Sequence, residues 1–245
     1  MKAVILCAGY GTRLGELTYE VPKPMLLLAG KPLLEYTVRY LVHQGYRDLA
    51  INVHFKPEQI KNYFEDGHNY NCSISYFEEQ ILLGTAGALC NMKSWLFEAS
   101  SFLVLYGDIL LDQDLSIMRK RHENTNAWAT LMLHQREKSN SIVLMDHSGR
   151  IQKFIERPSE KELRKNRNAW VNSGVAIISN EVLDTIPLEK PADLPKDVYV
   201  PNLAQKKIMG FTNQGYRCAI DSTDRLYEAE RAIQSGKYRS PKEVL

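Results

Sequence analysis

Apolar runs that alternate with amphipathic stretches constrain this chain more than any other feature. "KAVILCA" at the amino terminus begins as an unbroken apolar run, which a strand buried on both faces requires. "PLLEYTVRYLVHQG" follows, with apolar positions at helical spacing and a stop at Gly45. The strand "LAINVHF", a helix opened by Pro57, the short strand "CSISYF", a helix from "GTAGALCNMKSWL" and the strand "FLVLYGD" continue the pattern. This βαβα order predicts a largely parallel sheet covered by helices on both faces. From about residue 127 the pattern changes to "WATLMLH", "SIVLMD" and "RIQKFIE", the last two joined by the hairpin signal "HSG". "AWVNSGVAII" reads as a further strand, "YVPNLAQKK" as a helix end and "STDRLYEAERAIQSG" as a closing helix. No linker, low-complexity stretch or internal repeat interrupts residues 1–245, which predicts one domain.

A chain of 245 residues can bury a sizeable core, and a formal net charge of +2 gives no electrostatic case for a nucleic-acid partner. No apolar run approaches the ~20 residues of a membrane span. Cys7, Cys72, Cys90 and Cys218 are scattered, with no C-x-x-C. They read as reduced thiols of a cytoplasmic protein.

The chemistry-bearing residues cluster where strands end. After "KAVIL" come Gly9 and Gly11, then a long polar segment carrying Arg13 and Lys23. Glycines let backbone N–H groups approach a ligand closely, and an Arg and a Lys beside them suit a phosphate chain. The competing reading is a surface turn with two solvated cations, and both readings expect Arg13 and Lys23 on an exposed, flexible loop. Asp108 ends the run "FLVLYGD", and Asp221 ends "YRCAID" just before the last helix. Two strand-end carboxylates beside a phosphate loop suit Mg²⁺, which favours oxygen ligands shared with substrate phosphates. Either could instead cap a loop or helix, with Ser222 and Thr223 as rival caps beside Asp221.

G-x-G-T-R followed by "PKPM" resembles the signature of the sugar-1-phosphate nucleotidylyltransferases. The likeness extends through "EEQILLGTAGAL", "LYGD", "FIERP", "VNSG" and "YRCAID", nearly the whole chain. "LGTAGAL" is most similar to the mannose- or heptose-1-phosphate guanylyltransferases. The resemblance implies a Rossmann-like three-layer α/β domain with a mixed, mostly parallel central sheet. It implies a nucleotide-binding part over about 1–125 and a sugar-binding part over about 126–245. The reaction implied joins a nucleoside triphosphate to a sugar 1-phosphate and releases pyrophosphate. Ala8, Gly9, Gly11, Thr12 and Arg13 would then hold the triphosphate, and Lys23 would bind a reacting phosphate. Gly84 and Thr85 would pack on base and ribose. Ser141, Glu156, Arg157 and Asn172 would face the sugar phosphate, and Asp108 and Asp221 would bind Mg²⁺. The substrate's phosphate oxygen is the nucleophile, so no activated Ser, Cys or His is required.

Glu79 is the candidate for the base edge, because a carboxylate accepts guanine N1–H and N2–H together. A solvated loop charge is its rival reading, and strand alternation makes Glu78 the rival residue. Three departures from the family pattern stand out: Arg157 in place of a common Lys, Asn140-Ser141 in place of Tyr-Gly, and a shortened segment after Asp221. Many relatives add a left-handed β-helix domain, and no hexapeptide repeat appears here. Family members form homodimers or homotetramers, and no membrane partner is expected. Three alternatives remain: transfer of a cytidylyl or uridylyl group to another phosphate, a non-catalytic NDP-sugar-binding homologue, and a glycosyltransferase using "DQD" at 112–114 as a metal motif.

Overall fold

A computed structural model describes residues 1–136, 140–187 and 191–239. In chain order the elements are β1 (Ala3–Leu6), β2 (Leu27–Leu28), β3 (Lys31–Pro32), α1 (Leu33–His43), β4 (Asp48–Val53), α2 (Pro57–Phe64) and β5 (Ser73–Glu78). Next come α3 (Gly84–Asn91), α4 (Lys93–Leu96), β6 (Ser101–Tyr106), β7 (Ile109–Leu111), α5 (Leu115–Thr125) and β8 (Ala129–His134). Then follow β9 (Ser141–Met145), β10 (Ile151–Glu156), α6 (Glu160–Lys165), β11 (Val171–Ser179), α7 (Val200–Asn202), β12 (Ile208–Thr212), β13 (Arg217–Ala219) and α8 (Thr223–Gln234). Seven strands hydrogen-bond in the order β12-β8-β11-β6-β1-β4-β5. The pairs β1/β4, β4/β5 and β8/β12 are parallel and β8/β11 is antiparallel, so the expected mixed, mostly parallel α/β class is observed.

The residues group into two compact units that interleave along the chain. The first comprises Met1–Leu82, Leu105–Asp114 and Gln214–Leu245. Its strands β1 and β4 pair in register, Ala3 opposite Leu49 and Ile5 opposite Ile51, and all four residues are fully buried. That is why "KAVIL" and "LAINV" carry no polar alternation. Helix α1 buries Leu33, Leu34, Val38 and Leu41, and Gly45 follows its end at a φ of 86°. Helix α8 closes this unit by packing Ala229 and Ala232 among Leu28, Leu33, Leu110 and Ile220.

The second unit comprises Leu83–Val104 and Leu115–Asn213. Its core is built from β8, β11 and β12, with Leu131, Leu133, Ile177, Ile178 and Ile208 at or near zero exposure. The expected hairpin forms as the antiparallel pair β9/β10, and Gly149 closes its turn through an N–H bond to the Asp146 carbonyl at 3.0 Å. "YVPNLAQKK" enters α7 from a π-helical turn at Leu194–Tyr199. Among the described residues, no helix is long and apolar enough to cross a membrane.

Helix α3 illustrates how tightly the second unit is packed. Gly84 has a φ of 75°, and a Cβ there would lie 2.5 Å from the Ala192 carbonyl oxygen. The same carbonyl accepts the N–H groups of Ala86 at 2.8 Å and Gly87 at 3.2 Å. Gly84→Ala therefore adds both a left-handed strain and a clash with fixed backbone. It should lower stability by about 1–3 kcal/mol in urea unfolding, whereas an unchanged midpoint would show that the Ala192 segment moves aside freely.

Candidate active site

Within the first unit, the carboxyl ends of the parallel strands carry the polar residues. β1 runs into Cys7 and the glycine turn, β4 ends beside Asn52 and His54, and β5 leads to Glu79. Open α/β sheets bind ligands at this edge. Asp108 follows β6, and the Gly107 N–H bonds to the Leu6 carbonyl at 2.9 Å. Asp221 follows β13, and the Ile220 N–H bonds to the Asp108 carbonyl at 2.8 Å. The two carboxylate-bearing strand ends are thus neighbours through one backbone bond.

Two cation–carboxylate pairs occupy this edge. Lys23 Nζ lies 2.5 Å from Asp108 Oδ2, and Arg13 Nη1 lies 3.8 Å from Asp221 Oδ2. Their environments differ sharply: the Lys23 side chain is 11% exposed and that of Arg13 66%. The sequence expectation that both cations ride an exposed, flexible loop is therefore corrected for Lys23. The segment instead forms 3-10 turns over Thr12–Thr18, broken by a kink at Gly15, and over Lys23–Met25, with the Met25 N–H bonded to the Pro22 carbonyl at 2.7 Å. Prolines on both sides of Lys23 fix its approach, since each ring locks φ. Gly11 is required by the same packing. Its φ is 72°, and a Cβ there would lie 2.9 Å from the Lys23 Cβ. A Cβ at Gly9, by contrast, would meet no atom within 4 Å, so the first glycine presents open backbone next to the buried Ala8.

Asp221 does not cap α8. Ser222 does, its Oγ accepting the Arg225 N–H at 3.3 Å, which removes the capping explanation for Asp221. Two carboxylates match what Mg²⁺ asks of a protein when substrate phosphates complete its shell. Among the described residues, no group of three or more His, Cys, Asp or Glu gathers as a self-sufficient metal site. Burial, reinforced by the Asp108 charge, pushes the Cys7 thiol far above its ordinary range, so it is not a nucleophile. The "DQD" segment is structural. Asp112 accepts the N–H of Tyr216 on Oδ1 and of Arg239 on Oδ2, while Gln113 Oε1 accepts those of Gln214 and Gly215. With both Asp112 oxygens engaged by backbone, the glycosyltransferase reading loses its metal motif.

Glu79 is 3% exposed, not a solvated loop charge. Asn52 Nδ2 donates to its Oε1 at 2.7 Å, and His54 Nδ1 lies 2.6 Å from its carbonyl oxygen. Glu78, the rival residue, is exposed and pairs with Lys61 at 2.9 Å. Asn52, His54 and Tyr10 escape recognition in the sequence. The available signal is the appearance of two polar residues, spaced by two, at the end of the buried run "LAINVHF".

The remaining candidates belong to the second unit. Glu156 ends β10 opposite Ser141, and Arg157 follows at a φ of 52° with its N–H bonded to the Asn140 carbonyl at 2.8 Å. Burial raises the Glu156 carboxyl pKa; Arg157 opposes this and Asp193 adds to it. Ser141 Oγ accepts the Asn172 N–H at 3.0 Å, and Asn172 Oδ1 accepts that of Gly174 at 3.3 Å. That Asn172 oxygen thus satisfies local backbone. Thr85 donates from N and Oγ1 to Asp193 Oδ1 at 3.2 and 3.3 Å, and accepts the Leu194 N–H at 2.8 Å. Asp193 is absent from the sequence-based set, although "DLP" is a helix-opening signal. Ser141, Glu156, Arg157 and Asn172 meet along β9, β10 and β11, and Asp193 links Glu156 electrostatically to Thr85.

The model of the Nucleotidyl transferase family matches residues 2–235. The chain belongs to this family. Among its curated relatives is a UTP–glucose-1-phosphate uridylyltransferase of Synechocystis, 34% identical over 81% of this chain and 54% of that protein. Another is mannose-1-phosphate guanyltransferase beta-B of Xenopus laevis, 32% identical over 100% of this chain and 68% of the relative. A probable mannose-1-phosphate guanylyltransferase of rice is 30% identical over 88% of this chain and 60% of its own length. The chain thus spans little more than half the length of several relatives it matches. Among solved structures, HddC from Yersinia pseudotuberculosis complexed with GMP-PN superposes with a TM-score of 0.79 at 24% identity, covering 95% of this chain and 99% of that one. UDP-glucose pyrophosphorylase complexed with UDP-glucose gives 0.80 at 20%, covering 96% and 98%. At these identities the structural likeness establishes the fold.

The contrast between the two cations within the family fold can be measured. Lys23→Ala strands a largely buried carboxylate at Asp108 and should cost about 1–3 kcal/mol of stability. Arg13→Ala breaks a long, exposed pair and should stay within about 0.5 kcal/mol of the parent. Equal denaturation midpoints for the two variants would contradict the burial of Lys23.

Proposed function

We propose that this chain catalyses Mg²⁺-dependent transfer of a nucleotidyl group from GTP to a sugar 1-phosphate, forming an NDP-sugar and pyrophosphate. The observation that carries the reading is the adjacency of Lys23–Asp108 and Arg13–Asp221 beside the glycine turn. The names of the relatives support the reaction class. A phosphate oxygen of the sugar 1-phosphate attacks the α-phosphorus. The bond from that phosphorus to the bridging oxygen breaks, and pyrophosphate leaves with the electron pair. Attacking and departing groups are both anionic, so the protein's task is alignment and charge stabilisation. Backbone at Ala8–Thr12 with Arg13 holds the triphosphate, and Lys23 steadies the reacting phosphate. Mg²⁺, when bound by Asp108 and Asp221, supplies charge neutralisation to the phosphates. Gly84 and Thr85 are assigned to the nucleoside, and Ser141, Glu156, Arg157 and Asn172 to the sugar phosphate. The NDP-sugar would serve cell-surface polysaccharide synthesis from the cytoplasm, the enzyme working as a homodimer or homotetramer. Retention of Arg13, Lys23 and Asp108 argues against a purely regulatory homologue.

The choice of GTP rests on Glu79, whose buried carboxylate suits the paired N1–H and N2–H donors of guanine. The name of the Synechocystis relative favours uridylyl transfer as a second reading. A pyrophosphate-release panel of four triphosphates against several sugar 1-phosphates separates the two. The expected result is GTP-dependent release that EDTA abolishes. Arg13→Ala and Lys23→Ala should each lower kcat/KM by roughly 10²–10⁴-fold. Activity without divalent cation would remove the metal assignment, and wild-type turnover in either variant would remove the phosphate clamp.

Asp108→Asn should be more damaging than Asp221→Asn, because Asp108 also holds the buried Lys23. Glu79→Gln should weaken GTP use selectively, since its amide offers one acceptor and sets a donor against a donor. Preference for UTP that survives this change would sustain the second reading instead.

A further inference from the structure

Three side chains join the glycine turn to Glu79. The Cys7 backbone N–H lies 2.7 Å from Asn52 Oδ1, and a backbone N–H can only donate. That bond fixes the orientation of the Asn52 amide, so its Nδ2 is the atom that donates to Glu79 Oε1 at 2.7 Å. Asn52 is 4% exposed and cannot exchange this arrangement for bulk water. On the other side, the Glu79 carbonyl can only accept, so His54 Nδ1 carries the proton and donates to it at 2.6 Å. In the neutral ring, His54 Nε2 is then the acceptor for the Tyr10 hydroxyl at 2.8 Å, and Tyr10 stands between the two glycines of the turn. Hydrogen-bond direction therefore runs from the turn into Glu79 along both routes.

We propose that Asn52 is a positioning residue for nucleobase choice, holding the Glu79 carboxylate as an acceptor that selects a base with adjacent donors. This rests on the reading of Glu79 as the base contact and adds a cause for its specificity. The Cys7 N–H sets the amide, the amide sets the carboxylate, and the carboxylate selects the base. His54 and Tyr10 fix the backbone of the same residue relative to the turn. Nucleobase and triphosphate sites are thereby held in one register.

Exchange of donor and acceptor within the pair provides the test. Asn52→Asp retains the acceptor for Cys7 N–H but sets a second carboxylate against Glu79. Glu79→Gln retains the bond from Asn52 but turns its own amide N–H groups towards the base. In the double variant Asn52→Asp/Glu79→Gln, the glutamine amide donates to the introduced carboxylate and its oxygen faces the base. Steady-state kinetics with the four triphosphates and one fixed sugar 1-phosphate, alongside thermal melts, reads the result. Each single variant should reduce the GTP-to-UTP ratio of kcat/KM by about tenfold or more, chiefly through KM for GTP. The double variant should recover a substantial part of that ratio, a coupling that independent effects would not give. If Asn52→Asp fails to fold, the comparison of Glu79→Gln with the double variant still reads the coupling. An unchanged ratio in Asn52→Asp would overturn the proposal, as would additive losses with no recovery. A parent protein that transfers nucleotidyl groups without favouring GTP would refute the Glu79 reading and this inference with it, leaving nucleotidyl transfer intact.

Discussion

The ion pair between Lys23 and Asp108 is the constraint around which the carboxyl edge of the first unit is organised. It joins a 3-10 turn to a strand end 85 residues further along the chain. Its burial demands that the stem of Lys23 pass close to the glycine turn, and Gly11 meets that demand by lacking a Cβ. Pro22 and Pro24 reduce the freedom of the segment before any contact forms, which lessens the entropy lost on ordering it. A largely buried ion pair is a weak source of net stability, because desolvation opposes the attraction. Keeping one here is more readily explained by the work of its charges than by stability.

The second pair, Arg13–Asp221, differs in kind. At 3.8 Å and with the arginine mostly exposed, it contributes little energy and restrains little motion. A buried ammonium and an exposed guanidinium suit different tasks. An ammonium is a compact point charge and a guanidinium a planar fork, so in the proposed reaction the first would position a reacting phosphate and the second would follow a departing group. The side-chain environments thus distinguish the two residues in a way that their shared charge does not suggest.

The legible parts of this molecule are those whose sequence signal is local. Strands β1, β4 and β6 announce themselves as predominantly apolar runs, and α1 and α8 as amphipathic stretches with recognisable ends. Helix α5 is harder to read, because "LSIMRKRHENT" buries only Leu115, Met118 and His122. Strand β12 is shorter still and contains Gly210, whose missing Cβ makes room for Met145 from β9. The glycine turn and both carboxylates are visible as residue types at strand ends. The burial of Lys23 is not, because it depends on a partner far away in sequence. The same holds for the structural use of Asp112 and Gln113, whose partners are backbone groups at 214–216 and 239. A D-x-D pattern has the same letters whether its oxygens face a metal or a peptide N–H. The interleaving of the two units is likewise a property of long-range contacts.

Hydrogen-bond direction gives the candidate site a chemical sense that residue identity alone does not. A buried glutamate can accept or, when protonated, donate, and the two states recognise opposite base edges. The contact on one Glu79 oxygen is set from the backbone outwards. The peptide N–H of Cys7 cannot reverse, so Asn52 cannot flip, and its NH₂ must face Glu79. The Glu79 Oε1 atom satisfies that donor at 2.7 Å, in a low-dielectric setting where an unpaired amide would be costly. The thiol of the same Cys7 is kept protonated by burial and by the charge of Asp108. One residue thus contributes a fixed donor through its backbone while its side chain stays chemically silent. That division suits a reaction whose nucleophile arrives with the substrate, where the protein must orient charges and must not compete for the phosphorus.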